Sequence, residues 1–178
     1  MLEFQLNIRR ARGDEVAAVM AVIEDGKRSI ARLGIEQWQH GYPDAAAIED
    51  DIAAGACWVA ESGDGKLLGT HALLFGADED YEASDIAWLN DGCPYAAIHR
   101  CATAADALGH GVMSALFAHA QEVARERAVA SIRIDTHPGN TTMRAFLGKQ
   151  GFTELEAFDL VSHGVPADRR RIAFEKLL

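Results

Sequence analysis

Two glycines flank a histidine in Leu108-Gly109-His110-Gly111-Val112-Met113-Ser114, directly ahead of a helical pattern. Glycine lets the backbone come close to an anion. The free N–H groups and positive dipole end of a helix start favour phosphate. The same spacing also makes a plain tight turn. Further on, Asp135 and His137 stand two apart, on one face of a strand. There a carboxylate could orient an imidazole as proton acceptor, or the two could form a structural salt-linked pair. The other familiar chemistries lack their residues: no Gly-x-Ser-x-Gly elbow is written in the chain. The seven histidines show no H-E-x-x-H or comparable spacing, so no metal is expected. Cys57, Cys93 and Cys101 are odd in number and widely spaced, which is neither a disulfide framework nor a zinc site and suits a reducing compartment.

The elements that must position these residues follow from periodicity. Gln5 to Ala11 reads as a first strand. Asp14 introduces an amphipathic helix with Val16, Val19, Met20, Ile23 and Ile30 at helical spacing, ended near Gly34. Ile35 to Pro43 is an aromatic, amide-rich loop holding Trp38, Gln39 and Tyr42. Asp44 can cap a short helix with Ile48 and Ile52 on one face, closed by Gly55. Cys57–Glu61 and Lys66–Phe75 read as strands joined by a Gly/Asp-rich hairpin connection. The acidic run Asp78–Asp85 is expected in a solvated loop, and Tyr95–Thr103 as a further strand. The helix after Gly111 runs to about Ala128, with Val112, Met113, Leu116, Phe117, Ala120, Val123 and Ala124 inward and Gln121, Glu122, Arg125 and Glu126 outward. Ser131–Asp135 reads as a short buried strand, Asn140–Gln150 as a helix, and Phe152–Leu160 and Arg171–Leu177 as closing strands. Arg169-Arg170-Arg171 is expected to be solvated. The order is β-α-α-β-β-β-α-β-α-β-β, an α/β or α+β arrangement expected as a single domain over residues 1–178.

The formal charge of −10 argues against a nucleic-acid partner, which needs basic surface to displace counterions. It is compatible with a cationic small molecule and equally with solubility alone. No apolar run approaches the roughly 18–20 residues of a membrane span. The first residues lack the basic and apolar segments of a secretory signal. A soluble cytoplasmic protein with no membrane partner is therefore expected.

Two ligands compete for the glycine turn. Gly109-x-Gly111-x-x-Ser114 nearly matches a dinucleotide fingerprint, and Asp135 closes the next strand. Against it, only 67 residues follow Gly111, and the three preceding strands run without intervening helices, as in an antiparallel meander. The other ligand is an acyl-CoA. Ile98-His99-Arg100-Cys101-Ala102, Gly109-His110-Gly111-Val112, Ser131-Ile132-Arg133-Ile134-Asp135-Thr136, Asn140 and Lys149-Gln150-Gly151-Phe152 together resemble the general-control-type N-acetyltransferase (GNAT) superfamily. Trp38-Gln39-x-Gly41-Tyr42-Pro43 and Asp135-Thr136-His137 are similar to an uncharacterised bacterial subgroup of it. GNAT loops usually read R/Q-x-x-G-x-G/A. Aligned on Gly111, this chain carries Leu108 and Met113 at the first and last of those positions.

The resemblance implies a mixed central sheet of six to seven strands, flanked by helices and with a splayed parallel pair in the middle. It implies an N-acyltransferase, most simply moving an acetyl group from acetyl-CoA to a primary amine by direct attack in a ternary complex. The acceptor would be a small molecule or a peptide amine, and a homodimer stays open. It places the cofactor on Cys101, Ala102, Leu108, Gly109, His110, Gly111, Val112, Met113 and Ser114, mostly through main chain, and on the side chain of Asn140. The family's thiol-protonating tyrosine falls at Leu147 here, so Tyr95, His99 and His137, with Asp135 beside the last, become the catalytic candidates. His99 could equally be a satisfied core residue. Trp38, Gln39 and Tyr42 are candidates for an acceptor wall. A catalytically weak GNAT-like sensing or interaction module and, at greater distance, a dinucleotide-binding protein remain the alternatives.

Overall fold

The computed structural model describes residues 6–162 and 166–178. Seven strands form one mixed sheet in the order β1-β2-β3-β4-β5-β7-β6. The strands are β1 (Asn7–Arg10), β2 (Cys57–Glu61), β3 (Leu67–Phe75), β4 (Tyr95–Thr103), β5 (Ser131–Thr136), β6 (Thr153–Asp159) and β7 (Arg170–Leu177). The expected strand start at Gln5 lies outside the described residues. β1 to β4 pair antiparallel as a meander, and β5, β7 and β6 form a second antiparallel group. The two groups meet at the parallel pair β4–β5, as expected. The long helix between these strands supplies the crossover that parallel pairing requires.

The helices are α1 (Val16–Ala31), α2 (Ala45–Ala53), the single turn α3 (Glu79–Glu82), α4 (Val112–Glu126) and α5 (Thr141–Lys149). Asp44 caps α2 by accepting from Ala47 N at 2.9 Å, and Asn140 caps α5 through Met143 N at 3.1 Å. α1 buries Val19, Val22, Ile23 and Ile30 against the sheet. It comes so close that a Cβ on Gly26 would stand 2.9 Å from the Ala102 Cβ. α4 covers the opposite face, where Phe117, Leu116 and Ala120 are fully buried.

Three local expectations are overturned by the packing around them. The acidic run is not a solvated loop: Asp78 caps α3, and Tyr81 is buried among Trp88, Tyr95, His99 and Phe158. Asp80 is satisfied by Val161 N, Ser162 N and the Ser162 hydroxyl at 2.6–2.9 Å, which removes the cost of burying it. Arg171 is buried rather than solvated, because strand alternation turns it inward while Arg170 turns out to Asp159. Gln121 is buried on α4 and donates to the Phe117 carbonyl.

Candidate active site

β4 and β5 share only three rungs, Tyr95↔Ser131, Ala96↔Ile132 and Ala97↔Arg133, and then part. The gap is a cleft of about 770 Å³ walled by residues 98–103 of β4 and 134–136 of β5. Different chemistry stands at its two ends.

At one end is the glycine turn. Gly109 and Gly111 both sit in the left-handed region (φ 80° and 79°), where a Cβ is disfavoured. Gly111 precedes α4 and supplies no side-chain cap to the first-turn N–H groups of the helix. Leu108, Gly109, Gly111, Val112, Met113 and Ser114 line the cleft here. His110 is exposed and outside the lining. The Ser114 hydroxyl accepts from Gln150 Nε2 at 3.2 Å, which ties the start of α4 to the end of α5.

At the other end His99, on the wall formed by β4, bonds Asp78 through Nε2 at 2.9 Å. Burial pushes the Asp78 carboxyl up. The His99 bond and charge, with the N–H groups of Tyr81 and Asp80, outweigh this and hold it below the usual carboxylate range. The Tyr81 ring stacks on His99 with centroids 5.9 Å apart. Its hydroxyl donates to Asp135 at 2.9 Å, and the other Asp135 oxygen faces Arg171 Nε at 3.3 Å. Burial raises the Asp135 carboxyl most, against the charges of His99 and Arg171 and the Tyr81 bond.

The expected pairing of Asp135 with His137 is therefore not formed. β5 ends at Thr136, and His137 turns into the following loop, where its Nδ1 accepts from Gly139 N at 3.0 Å. Its ring lies outside the cleft lining, and burial lowers its pKa. Tyr95 is also off the lining: its hydroxyl accepts from Asp78 N at 2.8 Å and donates to Glu82 at 2.9 Å, so it supports the Asp78 loop from beneath.

Residues 17–152 match the family model described as Acetyltransferase (GNAT) family. The chain belongs to the GNAT acetyltransferase family. Among solved structures it is similar to a GNAT-family acetyltransferase from Streptococcus agalactiae 2603, with 33% identity, a TM-score of 0.82 and coverage of 100% of this chain and 99% of that one. A GNAT-family acetyltransferase from Listeria monocytogenes 4b F2365 shares 20% identity at a TM-score of 0.72, over 97% of this chain and 95% of that one. The PaiA N-acetyltransferase of Thermoplasma acidophilum, solved in complex with coenzyme A, shares 15% identity at a TM-score of 0.70, over 98% of this chain and 99% of that one. The latter two likenesses speak to the fold alone. No match is found among curated proteins.

Within this GNAT chain the remaining candidates separate by environment. Cys101 and Ala102 line the cleft, and burial pushes the Cys101 thiol up, away from the thiolate form. Asn140 lines it too, although its amide oxygen caps α5 and its Nδ2 donates to Gln37 at 3.3 Å. Trp38 and Tyr42 face the cleft. Gln39 points away, with Nε2 on the Lys27 and Gln37 carbonyls. Leu147 is fully buried between α5 and the sheet, so that position is core in this chain.

Four side chains at this site were not singled out from sequence. Gln37 accepts from Thr136, His137 N and Asn140 at 3.3–3.4 Å and fastens the α1–α2 connection across the cleft. Asp78 partners His99, Arg171 partners Asp135, and Asp51 partners Arg100 at 2.5 and 2.6 Å. Only the Asp/Glu content of the 78–85 run hinted at any of them, and charge without a known neighbour does not say what it pairs with.

Proposed function

We propose that the chain is an N-acetyltransferase that moves the acetyl group of acetyl-CoA to a primary amine by direct attack. One observation carries the reading: a single cleft joins an uncapped helix start to a histidine oriented by a carboxylate, along the stretch of β4 that β5 leaves unpaired. The family supports it, as does the coenzyme A complex of the PaiA neighbour.

The pyrophosphate of acetyl-CoA fits the turn at Gly109–Ser114, where N–H groups supply the donors that the missing basic residue at Leu108 would otherwise add. Acetyl-CoA supplies an acyl thioester. The amine enters as an ammonium, which the Asp78 carboxylate attracts. Because Asp78 is held ionised, the His99 nitrogen facing it carries a proton, which leaves Nδ1 to accept the ammonium proton. The neutral nitrogen forms the N–C bond, backbone N–H groups of β4 stabilise the oxyanion, and the C–S bond breaks as the thiolate takes the second amine proton.

The test pairs turnover on an amine panel with acetyl-CoA titration of Gly111→Val and Gly111→Asn. A Cβ at position 111 meets no protein atom within 4 Å, so a loss of affinity would come from the ligand side. Asn tolerates left-handed backbone and serves as the folded control, whereas Val adds strain. Gly111→Val is expected to lose on the order of 3 kcal/mol or more of acetyl-CoA binding, about two charge-assisted hydrogen bonds at ~1.5–3 kcal/mol each. Unchanged affinity in the folded variant would remove the turn as the pyrophosphate site.

A further inference from the structure

Arg100 lies in the left-handed region, with φ 53°, in the middle of β4. That conformation is unfavourable for a residue bearing a Cβ and persists only where its surroundings impose it. The register gives the cause: Thr70 pairs Ala102 and Ala72 pairs His99, so two β4 residues stand where β3 has one. β4 thus carries a bulge at Arg100-Cys101. Ala104 N donates to the Leu68 carbonyl of β3 at 2.9 Å, so alternation turns the Cys101 N–H the opposite way. The rungs to β5 stop at Ala97, and that N–H therefore opens on the cleft.

Arg100 and Tyr42 lie on the cleft wall, and Asp51, outside the lining, holds the bulge through Arg100. Arg100 Nε and Nη2 donate to the two Asp51 oxygens at 2.5 and 2.6 Å, and Nη1 donates to the Tyr42 hydroxyl at 2.7 Å. The ion pair is largely buried, with 14% of the Arg100 and 7% of the Asp51 side chain exposed. Asp51 belongs to the last turn of α2, and Tyr42 to the α1–α2 connection that Gln37 fastens to the β5 side. A planar guanidinium bonded on three nitrogens has little freedom left, and a lysine could not hold both oxygens in the same way.

We infer that Arg100, Asp51 and Tyr42 form a positioning clamp that holds the β4 bulge and so aims the Cys101 N–H at the thioester oxygen. The inference rests on the acyl-transfer reading. None of the three side chains is assigned contact with the reacting atoms; they act through the backbone. An oxyanion donor matters most in the transition state, so a loosened clamp lowers kcat more than it weakens acetyl-CoA binding at the distant α4 turn.

Asp51→Asn, Arg100→Lys and Tyr42→Phe in the full chain test this through kcat, acetyl-CoA Kd and hydrogen exchange of the Ala104 amide, which bonds β3 beside the bulge. Asp51→Asn and Arg100→Lys are expected to lower kcat by about ten- to a hundredfold while Kd moves by less than about threefold. Exchange at Ala104 is expected to quicken by at least about fivefold as the bulge opens locally. Tyr42→Phe keeps the ion pair and is expected to cost about two- to fivefold in kcat, which preserves a reading if the charge variants do not fold. Unchanged turnover and exchange in Asp51→Asn, or equal losses in kcat and acetyl-CoA affinity, would overturn the clamp. A wild-type chain without transfer, together with faster exchange in the variants, would instead overturn the acyl-transfer reading and with it the clamp's catalytic role.

Discussion

His99 on β4 pairs in register with Ala72, so its neighbour in β3, His71, occupies nearly the same place on the other face of the sheet. His99 looks into the cleft, bonds Asp78 and stacks under Tyr81. His71 is 1% exposed beneath α4, edge-on to Phe117, and among the described residues neither ring nitrogen reaches a hydrogen-bond partner. Desolvation lowers its pKa to about 4, and the Ala72 and Leu116 backbone supports the charged form too weakly to offset that. His119 on α4, tilted over Trp58, adds a small further push in the same direction. The same side chain is thus a candidate proton acceptor on one face and an inert neutral ring on the other. A carboxylate neighbour and access to solvent make the difference, since burial without a partner penalises the imidazolium.

The largest expected effect tests the cleft face. His99→Ala should lower kcat by roughly 10²–10⁴-fold, the usual contribution of a positioned acid or base, with acetyl-CoA affinity retained. Asp78→Asn should cost less in kcat, because the ring stays in place but loses the carboxylate that orients it. A His99→Ala enzyme that keeps its turnover would put the two histidines back on equal terms.

The core face should speak through stability. His71 has its folded pKa near 4 against about 6.5 unfolded, so the unfolded chain binds the proton first as pH falls. Its contribution is intact above pH 6.5 and is lost between 6.5 and 4, at most about 3 kcal/mol at 1.36 kcal/mol per unit. Comparing denaturant midpoints of the wild type and His71→Leu across that window isolates this group. The leucine variant should lose less stability on acidification, and parallel curves would show that His71 finds a partner in solution.

The smallest effect sharpens the cleft side. Cys101 sits in the bulge with its thiol pushed up by burial, and direct transfer needs no nucleophile on the enzyme. Cys101→Ala should keep most of the activity in a single-turnover assay. Complete loss, with acetyl-CoA still bound, would point to a covalent intermediate and demote His99.

Local pattern served the sequence well where one element decides the outcome. The inward stripes of α1 and α4 and the cap of α2 fell where periodicity and cap chemistry put them. It failed where a polar residue's fate depended on a distant partner. Asp80 is buried because Val161 and Ser162 bring donors to it, and Arg171 because Asp135 and Asp168 meet it. Pairing Asp135 with His137 assumed that the strand continued past Thr136, where the chain instead turns.

The sequence by itself determined the order along the chain of the strands and of every helix but α3, and the glycine turn ahead of α4, while its resemblance to the GNAT family implied the parallel pair in the middle of the sheet. The first two rest on side-chain period and on the freedom of glycine at positive φ. Only the tertiary structure decided which histidine meets a carboxylate. His99 and Asp78 lie 21 residues apart, and the fold brings them to 2.9 Å by returning the chain from β3 through α3 to β4. Among the described residues His71 has no such partner, because its side chain points to the other face of the same sheet, where α4 packs apolar side chains over it.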